Sequence, residues 1–85
     1  MSDAAISSLV ADLVREVGRV APTVLITAET RFVEDLGIDS LDLVAVFLAV
    51  QDRLAVVIED DDVAELKTLG DLVAYVRDRN DAIAA

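Results

Sequence analysis

Between Ser40 and Leu54 apolar side chains recur at helical spacing twice over, and no other stretch restricts the fold as much. Leu43, Val46, Phe47, Val50 and Leu54 fall at i, i+3, i+4, i+7 and i+11, one face of an α-helix. Leu41, Val44 and Leu48 form a second stripe on the same segment. A helix in a small domain buries one stripe against its neighbours and rarely two. The first stripe therefore reads as core, and the second as a candidate surface for a partner protein.

The flanking segments are helical by the same criterion. Ile6, Leu9, Val10, Leu13, Val14 and Val17 mark a helix over 3–17, which Gly18 and Pro22 end. A long connection from Arg19 to Asp39 follows, and a loop of that length needs its own anchors. Val24, Leu25, Ile26, Phe32, Val33 and Leu36 are the expected anchors, with Thr30 capping one short turn. Ala55-Val56-Val57-Ile58 is β-branched but has no partner strand in the sequence, so it reads as a packed loop. A short helix is expected over 60–67. Thr68-Leu69-Gly70-Asp71 resembles a capping box that starts a last helix over 69–80, with Leu72, Val73, Tyr75 and Val76 inward. The expected fold is all-α: a small four-helix bundle with a long first loop and a short third helix, forming a single domain over 1–85.

The chain has 85 residues, no cysteine and no histidine. Disulfides, thiolate or imidazole metal sites, and Ser-His-Asp or Cys-His catalytic machinery are thereby excluded. Stability must come from apolar packing, which the 55% hydrophobic content suits. A formal net charge of −10 argues against nucleic acid and anionic membranes, and favours a basic protein partner met by electrostatic steering. No targeting segment appears, and the longest apolar run is too short to span a bilayer. The expectation is a complete, cytoplasmic, monomeric protein.

The start of the second helix carries the chemistry. In Asp35-Leu36-Gly37-Ile38-Asp39-Ser40-Leu41-Asp42-Leu43, Gly37 suits a tight turn and Asp39 an N-cap, with Asp42 at the capping-box position. Ser40 then falls at the first helical position, its hydroxyl not needed for capping. A phosphate ester there would meet the positive end of the helix dipole and free backbone N–H groups. Ser40 reads as an attachment point. Glu59-Asp60-Asp61-Asp62 lacks the ligand spacing and glycine of a calcium loop, and reads as a solvated helix start. No metal site and no nucleophile–base pair is expected, so the chain is not expected to be an enzyme.

The Asp39-Ser40-Leu41 junction after Leu36-Gly37 resembles the phosphopantetheine site of acyl carrier proteins, and Phe32-Val33-Glu34-Asp35 resembles the loop before it. Ile58-Glu59-Asp60, Leu66, Thr68-Leu69 and Tyr75-Val76 follow at the family's spacing without a gap, to about Asn80. The resemblance implies a 4'-phosphopantetheine arm from coenzyme A on Ser40, with Asp39 and Leu41 beside it. It implies a phosphopantetheinyl transferase as a partner, then acyltransferase, ketosynthase or ligase-type enzymes with basic docking surfaces. Asp35, Asp42, Leu41, Val44 and Leu48 would meet them. Phe32, Val50, Ile58, Val63, Leu66 and Leu72 correspond to regions that shelter an acyl chain in the family, although a plain core would have nearly the same sequence.

Fatty-acid carriers usually bear several glutamates along this helix. Here Ala45 and Gln51 replace expected acids, and Arg53 adds a positive charge. This leans the reading from fatty-acid synthesis towards a specialised polyketide-type pathway. One alternative is a free-standing aminoacyl or peptidyl carrier, whose site is usually Gly-Gly-x-Ser-Leu. Another is an unmodified helical interaction module using the Leu41/Val44/Leu48 stripe. Self-repulsion within so acidic a chain yields a prediction. Its thermal midpoint rises between about 0.01 M and about 0.15 M salt, as the screening length falls from ~30 to ~8 Å. A midpoint unchanged in calorimetry across that range contradicts it.

Overall fold

Ser2 caps the first helix: its Oγ accepts the Ala5 N–H at 3.1 Å, and Asp3 places an acid in the first turn. In the computed structural model, which describes residues 2–84, four helices follow one another. They are α1 (Asp3–Val17), α2 (Ser40–Leu54), α3 (Asp60–Val63) and α4 (Leu69–Ala84). The fold is all-α, with no strand among the described residues. The expected domain limits fall on Met1 and Ala85, outside the described residues.

α1 packs against both α2 and α4. Ile6, Val10 and Val14 of α1, Val46 and Val50 of α2, and Leu72 and Val76 of α4 form the fully buried centre. Phe32 joins them from the long loop and meets Phe47 edge-on, with ring centroids 6.3 Å apart. That geometry suits the ring quadrupoles, and each large side chain so buried is worth about 1.5–3 kcal/mol. On α2 the buried stripe is Val46, Phe47, Val50 and Leu54, with Leu43 partly covered.

The long loop is held mainly by its backbone. The Arg15 guanidinium donates to the carbonyls of Ala21 and Val24 at 2.8 and 3.0 Å, tying the loop's beginning to α1. Further on, the Phe32 N–H donates to Lys67 O, while the Leu69 and Gly70 N–H groups donate to Thr30 O and Ala28 O. Of the expected apolar anchors, Phe32 is buried and Ile26 and Leu36 are partly covered, but Val24, Leu25 and Val33 face outward. Their anchoring role passes to these backbone bonds and to Ile38, which is buried against Gly18. Thr30 caps no helix; its Oγ accepts the Thr27 N–H at 2.7 Å.

Two helices end elsewhere than the sequence suggests. The third helix, expected over 60–67, stops at Val63 because the next residues turn by i→i+3 bonds, and Lys67 O is taken by Phe32. The fourth, expected to end at Asn80, runs to Ala84; no glycine or proline interrupts Asp81-Ala82-Ile83-Ala84. Its start is a reciprocal capping box, Thr68 Oγ accepting from Asp71 N–H and Asp71 Oδ2 from Thr68 N–H. Val56 and Ile58 are buried on either side of exposed Val57, and the Ile58 N–H donates to Gln51 Oε1 at 2.9 Å instead of to a second strand.

Gly37 has φ of +67°, and a Cβ there would meet nothing within 4 Å. Its cost on substitution is purely conformational. Gly37→Ala lowers stability by about 1–2 kcal/mol in urea denaturation without changing the m-value.

Candidate functional site

The site is built where the long loop hands over to α2. Residues 32–36 form a turn that Gly37 closes, and the Ile38 N–H reaches back to Phe32 O. Ile38 is driven into the core beside Gly18, where an added Cβ would lie 2.9 Å from Ile38 Cδ1. That insertion leaves the next two residues, Asp39 and Ser40, on the surface. Asp39 is the N-cap, extended at φ −79° and ψ 172°, and its Oδ1 accepts the Asp42 N–H at 2.8 Å. The capping box is half made: Asp42 returns no bond to Asp39 N–H, and its half-buried side chain stays on the helix's first turn.

Ser40 is exposed at the first position of α2, and its hydroxyl has no hydrogen-bond partner among the described residues. The Asp42 and Leu43 N–H groups are both taken by Asp39, whereas those of Ser40 and Leu41 have no acceptor among the described residues. A phosphate ester on Ser40 fits these residues: the hydroxyl is accessible, two donors beside it are free, and the dipole's positive end faces it. The fourth helix makes the contrast clear. Its first N–H groups are all used, by Thr30, Ala28 and Thr68.

Leu41, Val44 and Leu48 are 81%, 52% and 58% exposed, a continuous apolar stripe leading away from Ser40. Asp35 is a different case. Both its oxygens are held by Arg31, in an ion pair at 3.0 Å and a bond from the Arg31 N–H at 2.8 Å. The Arg31 guanidinium, helped by that N–H, holds the Asp35 carboxyl below the usual carboxylate range. Asp35 thus meets any partner as half of a pair, not as a lone charge. The i,i+4 spacing of Arg31 and Asp35 was the available signal for it.

The six residues proposed to shelter a chain are divided. Ile58 and Val63 line a cleft of about 180 Å³ beside α2, together with Val44, Phe47, Leu48 and Gln51. Phe32, Val63 and Leu66 line a second, of about 310 Å³, with Leu43. Val50 and Leu72 line neither, because both are fully buried at the centre of the helix packing. Val63 of α3 is the wall the two clefts share.

That wall hangs on a polar cluster. Four residues cannot sustain a helix alone, and Glu59 gives α3 no side-chain cap. The Tyr75 hydroxyl accepts from Glu59 N–H and from Arg79, at 3.2 and 2.6 Å, and donates to Asp62 at 2.8 Å. Arg79 also lies 4.3 Å from the centre of the Tyr75 ring. Sequence reasoning saw Tyr75 as part of an inner face and Asp62 as solvated; their meeting is a tertiary event.

A family model described as "Phosphopantetheine attachment site" matches residues 8–76. The chain belongs to the acyl carrier protein family. It is 43% identical over 68 residues to the meromycolate extension acyl carrier protein of Mycobacterium tuberculosis, covering 80% of this chain and 58% of that protein. It is 40% identical over 65 residues to an acyl carrier protein of Rhodococcus erythropolis, covering 76% of this chain and 70% of the relative. The chain thus spans little more than half the length of the mycobacterial relative. The family's cofactor is covalent 4'-phosphopantetheine, which supplies a terminal thiol; its members are carriers rather than catalysts. No described helix is long and apolar enough to cross a membrane.

The Arg31–Asp35 pair gives a pH prediction. With its carboxyl held low in the folded state, Asp35 adds stability at neutral pH that is lost as pH falls through that lowered value. In a carboxyl-detected NMR titration Asp35 protonates below the usual carboxylate range, and Arg31→Ala raises its midpoint part of the way, because the backbone N–H at residue 31 remains.

Proposed function

We propose that Ser40 bears the phosphopantetheine arm, and that the chain, acting as one carrier domain in the cytoplasm, holds acyl intermediates as thioesters for partner enzymes of a dedicated pathway. The observation that carries this is Ser40 itself: an exposed, unbonded hydroxyl at the start of α2, with two free N–H donors beside it. Ser40 needs no activating base from this chain, since its hydroxyl is unbonded among the described residues and the base for arm attachment belongs to a phosphopantetheinyl transferase. Asp39 keeps the helix start open, while Leu41 supplies an N–H donor and an apolar side chain at the rim.

Docking uses the exposed Leu41, Val44 and Leu48 stripe, with Asp42 and the Arg31-paired Asp35 as the neighbouring charges. The partners are acyltransferase, ketosynthase or ligase-type enzymes with basic rims, attracted by the net charge of −10. Likeness to carriers named for meromycolate extension supports a specialised lipid pathway. The absence of acids at Ala45 and Gln51 supports the same departure from housekeeping fatty-acid synthesis, with a polyketide-type pathway as the favoured form.

The test is intact mass after incubation with coenzyme A, magnesium and a broad-specificity phosphopantetheinyl transferase. The wild type gains one phosphopantetheine, and Ser40→Ala gains none while keeping its circular dichroism. No gain on folded wild-type protein with several such transferases would overturn the carrier reading.

A further inference from the structure

Ser40, Val44, Phe47 and Gln51 fall at i, i+4, i+7 and i+11, on one side of α2. The last three line the cleft of about 180 Å³, several times the ~30 Å³ share of a water molecule. Its far end, at Gln51, is three turns or about 16 Å along the helix from Ser40. A chain tethered at Ser40 and laid along this side of the helix would reach the cleft.

Most of the lining is apolar, from Val44, Phe47, Leu48, Ile58 and Val63, and Gln51 is the exception that matters. Its Oε1 accepts the Ile58 N–H at 2.9 Å, a half-buried bond that settles which end of the amide is which. The Nε2 group is left with two donors and no protein acceptor among the described residues. Asp60, the other polar residue on the cleft, is a carboxylate and can only accept. The cleft thus offers amide donors against apolar walls, and no cation. Where the family usually has an acid, that acid could still accept from Ile58 N–H but would offer nothing to the cargo.

We propose that Gln51 is a specificity-determining residue, its side-chain N–H groups selecting acyl chains that carry keto oxygens over saturated chains of the same length. The cleft then favours a cargo that is apolar in section yet bears acceptors along its length, the product class of condensation without full reduction. This rests on the carrier reading for how the cargo arrives, but not for what Gln51 distinguishes.

Two loaded forms differing only in the chain test it: one saturated, one of equal length with oxygen on every second carbon. Both hold the same arm, so any difference belongs to the chain. The oxo-chain shifts the Gln51 side-chain N–H resonances and raises the thermal midpoint above that of the saturated form. Gln51→Glu keeps an acceptor for Ile58 N–H and removes the donors, so the preference for the oxo-chain, read against the variant's own unloaded midpoint, disappears. Equal response to both chains in the wild type overturns the proposal, whatever the variant does; so does discrimination that persists in Gln51→Glu. If Ser40 takes no arm, the carrier reading falls separately. The two chains as free pantetheine amides, titrated against the unloaded protein, then decide the role of Gln51: about fivefold tighter binding of the oxo-chain, the size of one hydrogen bond, is expected, and equal binding overturns it.

Discussion

The backbone pairing between residues 28–32 and 67–70 is the constraint on which the site depends. A long loop without secondary structure would expose or orphan its peptide groups. Here Ala28, Thr30 and Phe32 spend theirs on the start of α4 and on Lys67, two residues before it, in the bonds from Gly70, Leu69 and to Lys67. One arrangement thus supplies partners for the loop and for a helix terminus. It also sets Phe32 into the core, and from Phe32 the chain has only a short turn before Ile38 is buried and Ser40 emerges.

The two helix starts serve different ends. At α4 every early N–H is satisfied, which makes that terminus structural. At α2, Asp39 satisfies only the third and fourth, and the first two remain open beside an exposed hydroxyl. Completing the capping box from Asp42 would stabilise the junction, but would draw an acid across the serine. The half-made box leaves both open N–H groups accessible beside the serine.

Stability is unevenly distributed around the clefts. α1, α2 and α4 share the buried centre, whereas α3 contributes no fully buried residue and is tied chiefly through Tyr75 and Arg79. A wall held by an exposed polar cluster opens at lower cost than one locked into the core. Val63 is thus held less firmly than the Ser40 junction, which Phe32 and Ile38 set from within the core.

Much was legible in the amino-acid order. The two stripes of α2, the caps at Asp39 and Thr68 and the Gly37 turn are local facts, because helical period and capping act within a few residues. So the bundle, the exposed serine at the start of α2 and the outward Leu41, Val44 and Leu48 could all be read from spacing. Tertiary structure decided what lies far apart in the chain. Leu25 and Val33 were apolar but had no place in a centre already filled, while Ile38 gained one against Gly18. Val50 and Leu72 went to the core instead of a cleft, since burial depends on which helices meet. The Gln51 bond to Ile58 and the Tyr75–Asp62 contact join residues on different elements, and no periodicity encodes such a meeting.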